Sequence, residues 1–149
     1  MRILGFRAST KHFRYCVLDL AGAELVWINH VDEHKWEVPK SADTKPQILG
    51  EVFSEANRLL KKYMPDRVVL KSSETMKGSP STIRVSVEAV IILAAQENHI
   101  PAYERKYRDI KTNSDLVEAF VLNHVAKTSR YWDSEIADAL AVALRELGK

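Results

Sequence analysis

With 149 residues, of which 46% are hydrophobic and 28% charged, the chain has material for one ordinary core and falls in the size range of a single domain, taken as residues 1–149. A formal net charge of +2, from 22 basic and 20 acidic residues, excludes a global field that would by itself demand nucleic acid or an anionic membrane as partner. The lone cysteine, Cys16, excludes an internal disulfide and fits a small buried hydrophobe in a reducing, cytoplasmic setting. The opening Met1-Arg-Ile-Leu-Gly5 lacks the apolar region of a cleavable leader, and no apolar run is long enough to span a bilayer. The chain is therefore expected to be soluble, unprocessed and away from membranes.

Residues 2–8 and 13–19 are short, β-rich and joined by the polar Ser9-Thr-Lys-His12, the pattern of a hairpin. A third β-rich segment, 24–31, extends it to a three-stranded antiparallel meander. The polar stretch 32–46, interrupted by Pro39, shows no periodicity and is expected to be a loop. After it, Ile48, Leu49, Val52, Phe53, Ala56, Leu59, Leu60 and Tyr63 recur at intervals of three and four, which predicts an amphipathic helix ending at Pro65. The run 67–71 (RVVLK) follows a helix and a turn, as a buried parallel strand does. Residues 77–82 are turn-rich and end in good N-cap residues, so 83–98 reads as a largely buried helix. Ile100 to Tyr103 predicts a fifth strand, Asn113 or Ser114 caps a helix to about Val125, and Asp133 or Ser134 caps the last helix. The sum is an α/β chain without internal repeats or a second domain.

The last helix, 134–144 (SEIADALAVAL), is nearly all small or apolar except for Glu135 and Asp138. Three residues apart, the two share a face and can present their carboxylates side by side, as a hard cation such as Mg²⁺ requires. Acids in a first turn also complement the helix dipole, which is the plainer explanation. His30, Asp32, Glu33 and His34 offer metal-ligand types in one short span, but their spacing fits zinc only on a helix, and a strand running into a loop leaves ordinary exposed side chains. No Walker loop, nucleophile elbow or paired CxxC occurs.

Two stretches suit a polyanion. The loop 71–82 carries Lys71 and Lys77 ahead of a helix N-terminus. Further on, Arg105, Lys106, Arg108 and Lys111 interleave with Tyr103 and Tyr107, a combination able to grip a phosphate backbone and stack on bases. Glu104 and Asp109 dilute the second cluster, and a solvated surface is the alternative for both.

Taken together and in order, these motifs resemble the RuvC-like (Holliday junction resolvase-like) branch of the RNase H-like superfamily over nearly the whole chain. Ile3-Leu-Gly-Phe-Arg7 stands where that family has a first strand of the type Ile-Leu-Gly-Ile-Asp. Pro65-Asp66 through Lys71 stands where its fourth strand ends in a catalytic Glu. Lys77-Gly-Ser79 through Ala95 resembles its loop and Ala/Ile-rich helix, Ile100 to Tyr103 and Ile110-Lys111 its last strand and following Val-Lys pair, and Glu135-Ile-Ala-Asp138-Ala-Leu-Ala141 its closing helix. The resemblance implies a five-stranded mixed sheet, three antiparallel strands followed by parallel ones, flanked by helices.

It also implies phosphodiester cleavage by two metal ions held by four carboxylates. Carried over residue by residue, Glu135 and Asp138 keep an acid, whereas Arg7 and Lys71 reverse the charge. Neither cation can offer a lone pair to Mg²⁺. The expectation is an ionic core without metal or other cofactor, in which Arg7 and Lys71 neutralise Glu135 and Asp138. The alternative is a rearranged Mg²⁺ or Mn²⁺ site in which Glu74 and Asp19 replace the missing acids. Three functions follow: a catalytically degenerate protein that binds nucleic acid or a nucleoprotein complex without cutting it, an interaction or assembly module without nucleic acid that acts as a homodimer or with another protein, or a metal-dependent nuclease with a rearranged site.

Overall fold

A computed structural model describes residues 1–74 and 81–149. Its elements run β1 (Arg2–Ala8), β2 (His12–Ala21), β3 (Glu24–Trp27), β4 (Lys35–Glu37), α1 (Lys45–Tyr63), β5 (Arg67–Lys71), α2 (Thr82–Glu97), β6 (Ala102–Arg105), a 3₁₀ turn (Tyr107–Ile110), α3 (Val117–Leu122) and α4 (Ser134–Glu146). The sheet order is β3-β2-β1-β5-β6, and β4 also pairs with β2. The β1–β2 and β2–β3 pairs are antiparallel, and the β1–β5 and β5–β6 pairs are parallel. This is the expected mixed five-position sheet with a short sixth strand added: β3 pairs with the end of β2, and β4 with its beginning.

That addition corrects the expectation of an uninterrupted loop over 32–46, and the third strand stops at Trp27 rather than running to 31. Asn29 is the reason. Its buried side chain accepts hydrogen bonds from the Val17 N–H and Trp27 Nε1–H, both at 2.8 Å. It also donates to the Tyr15 and Glu33 carbonyls. A side chain that takes over backbone partners in this way ends the ladder and turns the chain back onto β2. The helix expected from Asn113 is also shorter. Asn113 Oδ1 caps the Asp115 and Leu116 N–H groups, but regular helix begins only at Val117.

Strand alternation builds two cores. Leu4, Phe6 and Ala8 of β1 point to one face with Phe13, Tyr15 and Val17 of β2, and are covered by α1 and α2. Ile3 of β1, Cys16 and Leu18 of β2 and Val69 of β5 point to the other, against α3 and α4. Residues 136–144 of α4 are all buried. A Thr44–Gln47 capping box starts α1, and Met64 in the left-handed region stops it before Pro65. Among the described residues, no helix is long and apolar enough to cross a membrane.

Candidate functional site

The sheet register lines up five cations. Lys35 of β4 lies opposite Arg14 of β2, Arg14 opposite Arg7 of β1, Arg7 beside Lys71 of β5, and Lys71 beside Arg105 of β6. Residues paired directly across strands project to the same face, so this row crosses the sheet toward α4. Each cation meets an acid. Lys35 Nζ is 2.8 Å from Glu37 Oε1, Arg14 Nη2 donates to Asp133, and Arg105 Nη2 is 3.5 Å from Glu146 Oε2.

At the centre, Arg7 spans both acids of α4, with Nη1 3.2 Å from Glu135 Oε1 and Nε 3.5 Å from Asp138 Oδ2. The α4 N-terminus brings the acids here. Asp133 accepts from the Glu135 and Ile136 N–H groups, which starts the helix one residue before Glu135 and fixes the face on which 135 and 138 emerge.

Lys71 does not join this pair, contrary to expectation. Its side chain is 2% exposed, and Nζ donates to the Ser72 carbonyl at 2.9 Å and Glu74 Oε1 at 2.8 Å, beneath the face of Tyr107 at 3.9 Å. The three-residue offset of Glu74 lets it fold back on the strand end, so the nearest acid in sequence captures the ammonium. Tyr107 is corrected likewise. Expected to stack on bases, it donates its hydroxyl to Asp138 Oδ1 at 2.7 Å and its backbone N–H to Glu74 Oε1 at 2.8 Å, so it ties the Lys71–Glu74 pair to the Arg7 cluster.

The electrostatics follow from burial. Asp138 is 4% exposed, and its desolvation outweighs the Tyr107 hydroxyl and the Lys71 and Arg7 charges, raising its pKa. The hydrogen bond from His12, at 2.6 Å, holds Glu135 below the usual carboxylate range, helped by Arg7. Burial pushes Glu74 upward, but the Lys71 ammonium and the Tyr107 N–H together bring it below its ordinary value. Burial, with Arg7 nearby, lowers Arg84. Desolvation and the bond to Asp138 raise the Tyr107 phenol.

The sequence reading missed His12, Arg14 and Glu88. His12 and Arg14 alternate on β2 with the core residue Phe13, and a hairpin register drawn for 2–8 against 13–19 places Arg14 against Arg7. Glu88 is a buried acid inside an apolar helix. It accepts from the Ser73 N–H and hydroxyl and lies 3.5 Å from Arg84 Nε.

Other candidates lie apart. Asp19 pairs with Arg2 at 3.0 Å, at the opposite end of β1 from Arg7. His30 contacts the Ala126 carbonyl, and His34 is buried rather than exposed. Arg105 stacks on Tyr103, Arg108 and Lys111 are exposed, and the Lys106 N–H donates to Asp109. Lys77 lies outside the described residues. Among those described, no group of three or more His, Cys, Asp or Glu side chains is arranged to hold a metal ion.

No protein-family model matches the chain. The crossover junction endodeoxyribonuclease RuvC of Thermosipho melanesiensis is 31% identical over 154 aligned positions, covering 96% of this chain and 94% of that protein. Among solved structures, Thermus thermophilus RuvC superposes with a TM-score of 0.78 at 16% identity, over 99% of this chain and 97% of that one. The same protein in complex with a Holliday junction substrate gives 0.77 at 17% identity, over 97% of this chain and 91% of that one. The similarity in sequence and fold runs nearly end to end, and the chain belongs to the RuvC family.

Proposed function

We propose that this protein binds branched nucleic acid at the end of the sheet where β1 and β5 finish, and does not cleave it by a two-metal route. The observation that carries the second half is Arg7, whose guanidinium lies 3.2 Å from Glu135 and 3.5 Å from Asp138. A cation bonded to both acids competes with any metal ion for the same oxygens, and Lys71 engages the other nearby acid, Glu74. The residues do not fit a two-metal centre. Binding is supported by kinship: the Thermosipho relative is a crossover junction endodeoxyribonuclease, and the Thermus protein has been solved on a Holliday junction. Arg108 and Lys111 are exposed on the 3₁₀ turn and just after it, close to the Arg7 cluster through Tyr107.

The test is a binding titration with four-way, duplex and single-stranded DNA. Four-way junctions should bind most tightly, and affinity should fall by about 10³-fold or more between about 50 and 200 mM salt if six or more phosphates are contacted. Arg108→Glu with Lys111→Glu should weaken every substrate. Incubation with Mg²⁺ or Mn²⁺ should leave the junction intact, and cleavage abolished by Asp138→Asn would overturn the non-cleaving reading. No binding at low salt would remove the nucleic-acid reading.

The outward face of α2 favours a second, compatible reading, assembly as a homodimer. Val85 and Leu93 are 44% and 50% exposed, with Ala89 between them on the same face. A helix that is apolar on its solvent side as well as its core side calls for a partner, and a second copy presents an identical face to it about a two-fold axis. Light scattering should give twice the chain mass for the native protein, and Leu93→Arg should give a monomer with unchanged circular dichroism.

A further inference from the structure

A cavity of about 640 Å³ lies at the Lys35 end of the cation row, lined by residues 30–37 and 128–131. Its size falls in the range of small-molecule sites. We propose that it receives one unstacked nucleobase, held by ring contact with Tyr131 and by a hydrogen bond at His34 Nδ1. The assignment rests on the nucleic-acid reading for a base within a strand, while the same chemistry would take a free nucleoside.

Three observations carry it. His34 lines the cavity and is 2% exposed, yet its Nδ1 has no hydrogen-bond partner. An unpartnered buried ring nitrogen is costly, and a base edge would satisfy it. Burial and the neighbouring Arg14 lower the pKa of this histidine, opposed by the Arg130 backbone, so at neutral pH the ring carries one donor and one acceptor.

Tyr131 is the second. It is 57% exposed at the rim, its ring stands 6.0 Å from that of His34, and its φ of 60° places a bulky residue in the left-handed region. Strain of this kind persists where surrounding structure imposes it, and it clusters at ligand sites. Val31, 88% exposed, adds an apolar edge.

The third is charge. Asp32, Glu33 and Glu37 share the lining with Lys35 and Arg130, and Lys35 is already paired with Glu37. No net positive field is left for a phosphate, so the occupant is a neutral ring whose phosphates remain outside. Lys35 is two strands from Arg7 in the register, about 10 Å at ordinary strand spacing. A strand bound at Arg7 would therefore pass the cavity mouth.

The test uses 2-aminopurine, a fluorescent adenine isostere whose emission falls on stacking. One arm titrates its free riboside; the other uses a four-way junction with one unpaired 2-aminopurine at the crossover. Wild type should quench both saturably. Tyr131→Gly removes the ring at a φ that glycine adopts freely, so folding is retained, and affinity for the riboside should drop by about tenfold. His34→Leu should weaken it as well, and His34→Asn, which keeps a polar group near the Nδ1 position, should restore most of it.

A junction bound with quenching equal in wild type and Tyr131→Gly would overturn the cavity assignment and leave nucleic-acid binding standing. Quenching of the free riboside that is lost in Tyr131→Gly, with no junction bound, would support the cavity as a nucleoside site and remove the nucleic-acid reading. Absence of quenching in both arms would overturn the proposal.

Discussion

Arg7→Met is expected to lower the free energy of unfolding by about 3–5 kcal/mol, the cost typical of removing one partner from a buried ionic cluster. The Arg7 side chain is 17% exposed, Glu135 20% and Asp138 6%, so solvent does little to screen the charges left behind. Without the guanidinium, Glu135 keeps His12 and Asp138 keeps Tyr107, but the two carboxylates then repel across one turn of helix. The pKa of Asp138, already raised by burial, should climb further. A carboxyl whose folded pKa lies above its unfolded value destabilises the fold at high pH and regains that stability as pH falls through the folded pKa. The deficit of Arg7→Met should therefore shrink on acidification from neutral pH.

Urea unfolding at two pH values measures both effects, with an unchanged m-value showing that stability alone has moved. Adding Glu135→Gln and Asp138→Asn to Arg7→Met should recover most of the loss, because a neutral set leaves no charge unpaired. A loss under about 1 kcal/mol would class the cluster with exposed ion pairs and defeat the idea of a buried ionic core.

What the sequence disclosed of this site, and what it withheld, divides along physical lines. Strand order and the α4 acids were legible because they reside in local patterns, apolar runs and helical spacing, whereas the charge reversal at positions 7 and 71 was only implied by the resemblance to the RuvC-like family. The partner of Lys71 was not, because Glu74 sits in irregular chain whose course depends on the Tyr107 N–H that receives it. The Tyr107 ring was assigned to solvent because its neighbours Lys106 and Arg108 are charged; the 3₁₀ turn aims it inward at Asp138. The cation row was hidden for another reason. It is a property of register across five strands, and register is set by pairing rather than by any one segment. The early end of β3 came from one polar residue, Asn29, whose hydrogen bonds reach four backbone or ring groups. A polar residue that substitutes for a ladder is invisible to periodicity.

Among the described glycines, Gly5 is the one at which an added methyl group should do the most damage. A Cβ at position 5 would fall 2.6 Å from the Ala139 carbonyl oxygen and 3.0 Å from both Ala143 Cβ and Cys16 Sγ. The first contact is with helix backbone, which no rotamer change relieves, so α4 must lift from the sheet. Overpacking of this kind costs about 1–3 kcal/mol and sometimes more, and a value at or above the top of that range is expected, read as a lowered urea midpoint. The small residues of SEIADALAVAL have their explanation here. Ala139 and Ala143 let the helix ride close over a glycine, and that closeness carries Glu135 and Asp138 to within reach of Arg7. Two consequences separate this account from simple steric damage. Ala143→Gly should rescue Gly5→Ala only in part, since the carbonyl contact remains. Gly5→Ala combined with Arg7→Met should cost less than the two losses added, because a lifted α4 has already loosened the ion pairs that the second substitution removes. Strict additivity in that cycle would mean that the seat of α4 and the Arg7 cluster are independent, and the link between the glycine and the site would fail.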